Sequence, residues 1–321
     1  MPGNFDTFTD GELAHYSRHL SLREVGPDGQ ARLRNASVLL IGLGGLGSPL
    51  SMYLAAAGIG RIGIVEFDTV DASNLHRQVL FGSSQVGEPK LACGAGRLRD
   101  LNPHIVIEEH ACALNRDNAR RIVGEYDIVA DGADNFATRY LVNDACVLEG
   151  KPLVSASILA FEGQLSVYNH GGGPCYRCLF PVPPPPGVVP SCAEGGGLGI
   201  LPAVMATLQA TEVITLVLGL GDVANGRLIH YDALALAFSS FNVSRDSQCS
   251  LCGDRPEITE LVDYDAFCGA GAAADSLVPQ LSPAEAAGLL DAADTVFIDV
   301  RDTHERLVDS LPQSEHVPLH E

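Results

Sequence analysis

Residues 37–47, Ser-Val-Leu-Leu-Ile-Gly-Leu-Gly-Gly-Leu-Gly, decide the fold of this chain. The apolar run predicts a buried strand, and Gly42, Gly44 and Gly47 follow it in the spacing G-x-G-x-x-G. The next segment, 48–58, is rich in leucine and alanine and ends at a glycine, which predicts a helix. A strand, a glycine turn and a helix N-terminus together predict an anion site, because the glycines let the backbone approach a phosphate. The glycine pattern alone does not distinguish a dinucleotide from ATP.

The composition excludes several classes of protein. The 321 residues carry a net charge of −20, so they offer no basic face for nucleic acid or for an anionic membrane. The N-terminus lacks the basic start and the apolar run of a signal peptide, and we expect no membrane-spanning helix. We therefore expect a cytoplasmic protein without nucleic-acid or membrane partners. In the cytosol, nine cysteines predict metal ligands, catalytic thiols or core residues rather than disulfides.

Strands and helices alternate in the first half of the chain. Thr9 and Glu12 have the spacing of a capping box and predict a helix that breaks at 26–29. After the glycine turn, alternating strands and helices are predicted at 61–68, 90–101, 104–109, 115–124 and 126–131. This order predicts an α/β fold with a Rossmann-like, doubly wound sheet. Ligands of such sheets bind at the carboxyl ends of the strands, where the following acidic residues fall: Glu66, Asp68, Asp131 and Asp134.

The second half of the chain predicts a mostly antiparallel extension. Its predicted strands lie at 151–157, 163–168, 228–232 and 238–243, and its predicted helix at 201–218. The proline-rich segment 181–190 predicts an extended loop. A glycine- and alanine-rich segment at 269–276 predicts a linker, and a helix that begins near Ser282 precedes a strand at 295–300.

Two C-x-x-C pairs are the strongest chemical signal in the sequence. Cys175, Cys178, Cys249 and Cys252 supply four soft ligands, which fits a closed tetrahedral zinc site that joins distant segments. A catalytic zinc would need an open position, and four thiolates leave none. The alternative is four unrelated buried thiols.

Two cations and one carboxylate favour a triphosphate as the ligand. Arg77 and Lys90 are the only arginine and lysine between Arg61 and Arg97, and their charges suit a triphosphate better than a nicotinamide dinucleotide. Asp134 follows a buried strand, where a carboxylate suits Mg²⁺ held with substrate phosphates. The alternatives are solvated surface charges for the two cations and a turn or helix cap for the carboxylate.

Cys192 differs from the other cysteines because it falls in a proline- and glycine-rich loop that we expect to be exposed. An accessible thiol there could attack an acyl-adenylate and hold the product covalently. The alternative is an incidental exposed thiol.

Several motifs together resemble the ThiF/MoeB family, the prokaryotic relatives of ubiquitin-activating enzymes. They occur in the order His15-Tyr-Ser-Arg18, the glycine turn, Asp68-Thr-Val70, Ser73-Asn-Leu-x-Arg-Gln78, Gly87-x-Pro-Lys90, Asp134-Asn135 and the two C-x-x-C pairs. The resemblance covers about residues 9–255. The segments 257–264 and 282–302 resemble longer members that end in a rhodanese-like domain, the adenylyltransferase/sulfurtransferases of molybdopterin synthase.

The resemblance implies an activity. Such enzymes bind Mg-ATP and the C-terminal Gly-Gly tail of a small ubiquitin-like sulfur carrier, and the tail carboxylate attacks the α-phosphate to give an acyl-AMP and pyrophosphate. The carrier's thiocarboxylate would then serve molybdopterin, thiamine or related biosynthesis. A sulfur donor, such as a cysteine desulfurase or a rhodanese, is implied as a further partner, as is a homodimer.

The resemblance also implies roles for individual residues. Gly45 and its neighbours Gly42, Gly44 and Gly47 would contact the phosphates, and Glu66 the ribose. Asn74, Arg77 and Lys90 would contact the triphosphate, and Asp134 would hold Mg²⁺. The remaining nucleotide-binding positions are Asp68, Ser73 and Asn135. Arg18 would reach into the partner's site across the dimer, and Cys192 would take the carrier as a thioester or persulfide.

Two features depart from the family pattern. Many members have aspartate at position 66, where this chain has Glu66, whose longer side chain still reaches a ribose hydroxyl. A rhodanese domain needs a cysteine far beyond its first strand, and the sequence ends at Glu321, so we do not expect the chain to have sulfurtransferase activity of its own. The predicted domains are an N-terminal helical arm (1–30), the adenylation domain (31–255), a linker (256–280) and an incomplete rhodanese-like segment (281–321).

Two other classes of function stay open from the sequence. One is an NAD-dependent oxidoreductase on a Rossmann core, against which Arg77, Lys90 and the cysteine pairs argue. The other is a zinc-stapled scaffold with a decayed site.

Overall fold

The structure, a computed structural model, describes residues 8–185, 197–268, 281–290, 292, 294–308 and 310–318. The chain divides into two compact units, of which the first runs to Gly271 and the second begins at Ala272. Each unit is described by itself below. Of the sequence predictions, three fall wholly or partly outside the described residues: Cys192, the linker at 269–276 and the second half of the proline-rich loop at 181–190.

An eight-stranded sheet forms the centre of the larger unit, in the order β3-β2-β1-β4-β5-β6-β7-β8. The strands are β1 (Ser37–Ile41), β2 (Arg61–Val65), β3 (Val106–His110), β4 (Ile128–Asp131), β5 (Leu153–Leu159), β6 (Glu162–Tyr168), β7 (Arg227–Asp232) and β8 (Ala237–Asn242). β3, β2, β1, β4 and β5 pair in parallel, whereas β6, β7 and β8 continue the sheet antiparallel. The predicted Rossmann-like sheet with an antiparallel extension is confirmed.

The described helices of this unit are α1 (Asp10–His15), α2 (Ser17–Leu20), α3 (Gly26–Asn35), α4 (Gly47–Ala57), α5 (Lys90–Leu101), α6 (Ala119–Gly124), α7 (Phe136–Leu148), α8 (Tyr176–Leu179), α9 (Leu201–Leu218) and α10 (Tyr264–Phe267). The capping box that opens α1 is present, with Thr9 and Glu12 bonded reciprocally. The predicted break at 26–29 is wrong, because these residues form the first turn of α3. Proline is tolerated there, since the first helical amides have no partner to lose.

The glycine turn between β1 and α4 is shaped by backbone requirements. Gly42 has φ +85°, which favours glycine, and Gly58 ends α4 with φ +86°. A Cβ on Gly47 would collide with the backbone carbonyl of Gly42, so only glycine allows this close approach of the two segments. The turn therefore holds the N-terminus of α4 against the end of β1.

Helices cover both faces of the sheet. α3, α4, α5 and α9 contribute buried residues to one core, and α6 and α7 to the other. α9 is long and apolar enough to cross a membrane by length and composition alone, and 44% of it is buried inside the structure. Here it packs on the sheet, and the side-chain amide of Gln209 donates to the carbonyls of Asp131 and Val154, at 2.9 and 2.8 Å.

The smaller unit contains α11 (Pro283–Ala287), β9 (Ile298–Asp299), α12 (Thr303–Val308) and β10 (Glu315–His316), and β9 and β10 pair in parallel. The strand is shorter than the predicted 295–300. Arg301 donates to both carboxylate oxygens of Asp299, which lowers the pKa of that carboxyl to about 2.

In the larger unit, α10 from the predicted linker packs against α7, and the domain boundaries stay predictions.

Candidate nucleotide site and cysteine cluster

A cavity of about 670 Å³ lies at the carboxyl ends of the parallel strands, where the strand order reverses between β1 and β4. Most of the predicted nucleotide-binding residues line it: Gly42, Gly44, Gly45, Glu66, Asp68, Asn74, Arg77, Lys90, Asp134 and Asn135. Gly47, Ser73 and Arg18 do not. Gly47 shapes the turn, as described above, and Ser73 bonds instead to Asp71.

The glycine turn presents unpaired backbone donors to the cavity. Within the part of the chain that the structure describes, the amides of Gly44, Gly45 and Leu46 donate to no protein acceptor. No side chain of a described residue caps the N-terminus of α4, which follows them. Free amides at a helix N-terminus favour a negatively charged ligand, so this end of the cavity can hold a phosphate.

The carboxylate of Glu66 joins the glycine turn to the end of β2. One of its oxygens accepts from the Leu43 amide at 2.8 Å, and the other accepts from the Phe67 and Asp68 amides at 2.8 and 2.9 Å. The side chain is buried at the cavity wall. Through these three hydrogen bonds Glu66 holds the glycine turn and the end of β2 in a fixed arrangement. Its contact with a ribose stays a prediction.

Lys90 begins α5 and extends into the cavity beside Asp68. Its Nζ lies 3.3 Å from the Asp68 carboxylate, and the Lys90 amide also donates to the carbonyl of Asp68. The lysine is buried, whereas Asp68 is exposed. A buried ammonium group in the same cavity as the unpaired amides of the glycine turn can neutralise a phosphate there.

Arg77 is held by neutral groups. Its guanidinium donates to Asn74 Oδ1 at 2.8 Å and to the Ser73 carbonyl at 3.1 Å. No carboxylate in the described segments forms an ion pair with it. Its positive charge is therefore available to an anionic ligand.

Asp134 and Asn135 close the opposite side of the cavity. Asn135 caps α7 by accepting from the Thr138 amide at 2.8 Å, and its amide donates to Asp134 at 3.3 Å. Asp134 is exposed and pairs with no cation among the described residues. An exposed carboxylate with an amide oxygen nearby offers the hard oxygen ligands that Mg²⁺ prefers, so the residues present fit this ion.

Two polar side chains of the cavity wall were not assigned to the site from the sequence, although one of them, Gln78, ends a motif of the family resemblance. Gln78 donates to Asn74 Oδ1, but its buried oxygen has no partner among the described residues. Arg139 donates to the Ala133 carbonyl at 2.9 Å and supports the turn that carries Asp134. Burial raises the pKa of the Asp131 carboxyl, and the positive charge of Arg139 offsets part of that rise. The sequence offered one signal for each residue. Gln78 directly follows Arg77, and Arg139 lies four residues after Asn135, which caps α7.

The four cysteines of the two C-x-x-C pairs form one cluster, in which the sulfur atoms all lie within 4.8 Å of one another. The nearest pairs are separated by 3.3 Å (Cys178 and Cys252), 3.7 Å (Cys175 and Cys249) and 3.9 Å (Cys175 and Cys178). Tetrahedral zinc with sulfur ligands at about 2.3 Å requires sulfur atoms roughly 3.8 Å apart. The cluster thus fits zinc, whose identity stays a prediction.

A buried ion pair anchors the first cysteine pair. Arg177, between Cys175 and Cys178, donates to both oxygens of Asp144 on α7, at 2.8 and 2.7 Å. The hydroxyl of Tyr264 on α10 donates to the same carboxylate at 2.7 Å. Burial and the neighbouring thiols raise the pKa of Cys175, so its thiolate requires a cation beside it.

Two predicted catalytic residues are not placed in the site. Arg18 lies exposed on α2 and is not among the residues that line the cavity. Its predicted role concerns the partner's site and stays a prediction. Cys192 lies outside the described residues, and its role stays a prediction as well.

Comparison with known proteins agrees with the fold. The model of the ThiF family matches residues 16–251. The sulfur carrier protein adenylyltransferase of Thermus thermophilus is 52% identical over 267 residues, which are 82% of this chain and 98% of that protein. Adenylyltransferase and sulfurtransferase MOCS3 of Sus scrofa is 48% identical over 317 residues, which are 96% of this chain and 70% of that protein.

A solved structure shows the same architecture. The crystal structure of E. coli MccB with AMPCPP and MccA has a TM-score of 0.68 and 27% identity, and it covers 79% of this chain and 77% of that chain. The family match covers most of the chain, and the relatives match it at about half identity. The chain therefore belongs to the ThiF family.

Proposed function

We propose that this protein uses ATP to adenylate the C-terminal Gly-Gly carboxylate of a ubiquitin-like sulfur-carrier protein, with release of pyrophosphate. The observation that carries the proposal is the set of groups in one cavity. Three backbone amides and Arg77, which have no acceptor and no acidic partner among the described residues, surround a space of about 670 Å³ together with the buried Lys90 and the exposed Asp134. This set suits a triphosphate with its divalent cation.

The names of the relatives support the same reaction. The Thermus protein is a sulfur carrier protein adenylyltransferase, and MOCS3 is an adenylyltransferase and sulfurtransferase. MccB has been solved with AMPCPP, which is an analogue of ATP. The three charged groups named above suit a triphosphate with its divalent cation better than NAD, whose diphosphate carries less negative charge.

The reaction requires positioning and charge neutralisation rather than a general base. A carboxylate oxygen of the carrier attacks the α-phosphorus of ATP, and the bond from that phosphorus to the bridging oxygen of the β-phosphate breaks. The electron pair leaves with pyrophosphate, and the new anhydride bond gives the carrier acyl-AMP. The carboxylate is already ionised at neutral pH, so no proton has to be removed first.

Each group in the cavity, whether backbone amide or side chain, then has a defined role in the reaction. The amides of Gly44, Gly45 and Leu46 and the ammonium group of Lys90 stabilise the charge on the phosphates. Arg77 neutralises the leaving pyrophosphate. Asp134 and Asn135 would hold Mg²⁺, which supplies positive charge to the phosphate oxygens.

Four further parts of the proposal concern the protein beyond this cavity. The cysteine cluster holds a structural zinc, supported by its sulfur–sulfur distances. The protein acts in the cytoplasm as a homodimer in which Arg18 enters the partner's site. Sulfur comes from a separate donor, and Cys192 takes the activated carrier. The pathway is molybdopterin, thiamine or related biosynthesis.

The experiment is a pyrophosphate-release assay with Mg-ATP and purified carriers that end in Gly-Gly. We expect release with at least one carrier that has a free C-terminal carboxylate, and none with the same carrier when its C-terminus is an amide. Release that does not depend on the terminal carboxylate, or a melting temperature that rises with NAD and not with ATP, would contradict the proposal.

A further inference from the structure

Tyr176 lies between the cysteine cluster and the wall of the nucleotide cavity. It is buried, it stands between Cys175 and Arg177 in the sequence, and its hydroxyl interacts with the guanidinium of Arg139, which lines the cavity. We propose that Tyr176 is a positioning residue for the divalent cation, because it holds Arg139 and thereby the turn that carries Asp134. The inference rests on the proposed function, since it assumes a cation at Asp134, and it links the cysteine cluster to the cation site.

The turn before Asp134 is held from both sides at Ala133. The Ala133 amide donates to Asp131 Oδ1 at 2.7 Å, and the Ala133 carbonyl accepts from Arg139 Nη2 at 2.9 Å. Asp134 itself is exposed, and among the described residues its carboxylate accepts only from the Asn135 side chain, at 3.3 Å. The position of the Asp134 carboxylate therefore depends on the two bonds at Ala133.

Arg139 has few partners of its own. Its buried Nε atom has no hydrogen-bond partner in the part of the chain that the structure describes. Besides the Asp131 carboxylate, Tyr176 is the neighbour that interacts most strongly with its charge. Because the guanidinium is held at so few atoms, loss of the Tyr176 hydroxyl should allow it to move together with the Ala133 carbonyl.

Tyr176 can act as a fixed support because its backbone is bonded to α7. Its amide donates to Asn143 Oδ1 at 2.8 Å, and the next residue, Arg177, donates to both carboxylate oxygens of Asp144. Asn143, Asp144 and Arg139 all belong to α7. The two side chains that meet, Tyr176 and Arg139, are thus held against the same helix.

Magnesium makes a small displacement of its ligand costly. The ion demands near-ideal octahedral geometry, with oxygen ligands at about 2.0–2.1 Å. A carboxylate that moves out of this geometry binds the ion more weakly, whereas the unpaired amides of the glycine turn keep their positions at the end of β1. Loss of the Tyr176 contact should therefore weaken the binding of the cation and leave the binding of the metal-free nucleotide unchanged.

The test is the affinity for AMPCPP, measured by isothermal titration calorimetry with Mg²⁺ and in buffer freed of divalent cations. In Tyr176→Phe we expect the Kd of AMPCPP to rise about two- to tenfold with Mg²⁺, because a hydrogen bond to a charged group is lost. Without the ion the Kd should equal that of the wild type. An unchanged Kd with Mg²⁺, or an equal rise in both buffers, would overturn the inference. Failure of the wild-type protein to bind AMPCPP would contradict the proposed function itself.

Tyr140→Phe is a matched control. Tyr140 is also buried, and its ring lies 5.2 Å from that of Tyr176, but its hydroxyl donates to the Phe180 carbonyl at 2.9 Å. The Kd of AMPCPP for this variant should equal that of the wild type in both buffers. The same rise in both variants would contradict the inference, because it would indicate a general loosening of the aromatic side chains.

Metal content and kinetics separate positioning from a purely structural role. Tyr176→Phe keeps the ring contacts with Tyr140, Tyr168 and Phe180, at centroid distances of 5.2, 5.8 and 4.9 Å, so it should fold and retain the metal content of the wild type. In pyrophosphate release, the Mg²⁺ concentration for half-maximal activity should rise by the same factor as the Kd, with kcat at saturating Mg²⁺ close to the wild-type value. Loss of metal from the cysteine cluster, or a lower kcat with an unchanged Mg²⁺ requirement, would overturn the inference.

Discussion

The Nζ atom of Lys90 lies 3.3 Å from Oδ2 of Asp68, and the two side chains differ in burial, with exposed fractions of 6% and 58%. The ammonium group is thus enclosed by protein, whereas its counterion remains open to solvent. A phosphate that enters the cavity can replace Asp68 as the partner of Lys90 without moving the buried charge.

This relationship makes Lys90 the side chain whose loss should cost most. In Lys90→Met we expect kcat/KM for ATP to fall by about 10²–10³, because one preorganised donor to the developing charge is removed. Lys90→Arg should recover part of the activity. The measurement is pyrophosphate release with a Gly-Gly carrier, and full activity of Lys90→Met would contradict this role.

Asp134 is predicted to set the requirement for the divalent cation. In Asp134→Asn we expect the Mg²⁺ concentration for half-maximal activity to rise at least tenfold, since a carboxylate ligand is replaced by a neutral amide. Asp100→Asn, which changes an exposed carboxylate on α5, is the control and should leave the Mg²⁺ titration unchanged. An unaltered titration in Asp134→Asn would show that the cation is held elsewhere.

Zinc removal should destabilise the larger unit. Metal analysis should find zinc in the purified protein, and a strong chelator should lower the melting temperature, because the ion joins segments that are far apart in sequence. Cys249→Ser should lose the metal and the response to the chelator. Cys93→Ser, which removes a thiol outside the cluster, should retain both, and a Cys249→Ser protein with wild-type zinc content would contradict the assignment.

Replacing only one member of the buried ion pair between Asp144 and Arg177 should lower the stability of the protein strongly. In Asp144→Ala we expect the free energy of unfolding to fall by about 3–5 kcal/mol, because the guanidinium is left buried without a partner. The double variant Asp144→Leu with Arg177→Met should recover much of this loss. Urea denaturation measures both, with Asp100→Ala in the exposed Arg97–Asp100 pair as the control, expected within about 1 kcal/mol of the wild type.

Glu108 should make stability depend on pH. The Tyr126 hydroxyl donates to it at 2.6 Å and, with Arg61, lowers the pKa of the carboxyl below its usual value of 4.5. A carboxyl with a lowered pKa in the folded state contributes stability above the unfolded pKa, and that contribution is lost as the pH falls through the folded pKa.

Glu108→Gln should therefore be less stable than the wild type at pH 7, and the difference should shrink below about pH 4.5. Urea denaturation between pH 7 and pH 3 measures it. For Tyr126→Phe, the difference in unfolding free energy from the wild type should also become smaller as the pH falls. A difference that stays constant over this range would contradict the contribution of the ionised carboxylate.

Most of the fold could be predicted because each element has a local signal. β1 and α4 follow from an apolar run and a glycine turn, and the predicted helices 90–101 and 201–218 have the observed bounds. The predicted break at 26–29 failed because Gly-Pro suits both a break and the first turn of a helix. Only tertiary packing, here that of α3 against α9, decides between them.

The site was less predictable than the fold. The sequence shows that Lys90 and Arg77 are positively charged, but it does not show their partners. Lys90 pairs with Asp68, whereas Arg77 has no acidic partner among the described residues. Likewise, nothing near Arg177 in the sequence points to Asp144, which lies more than thirty residues away. Such pairs depend on the tertiary packing of separate segments. The burial of the Gln78 side-chain oxygen also depends on tertiary packing and could not be predicted from the sequence.

The most direct test of the central claim is the mass of the carrier after the reaction. A Gly-Gly carrier incubated with the protein and Mg-ATP, in the absence of any sulfur donor, should gain the mass of one adenylyl group at its C-terminus. The same carrier with the Lys90→Met protein should gain little. A carrier that stays unmodified with the wild-type protein, for every Gly-Gly carrier of the same organism, would contradict the account.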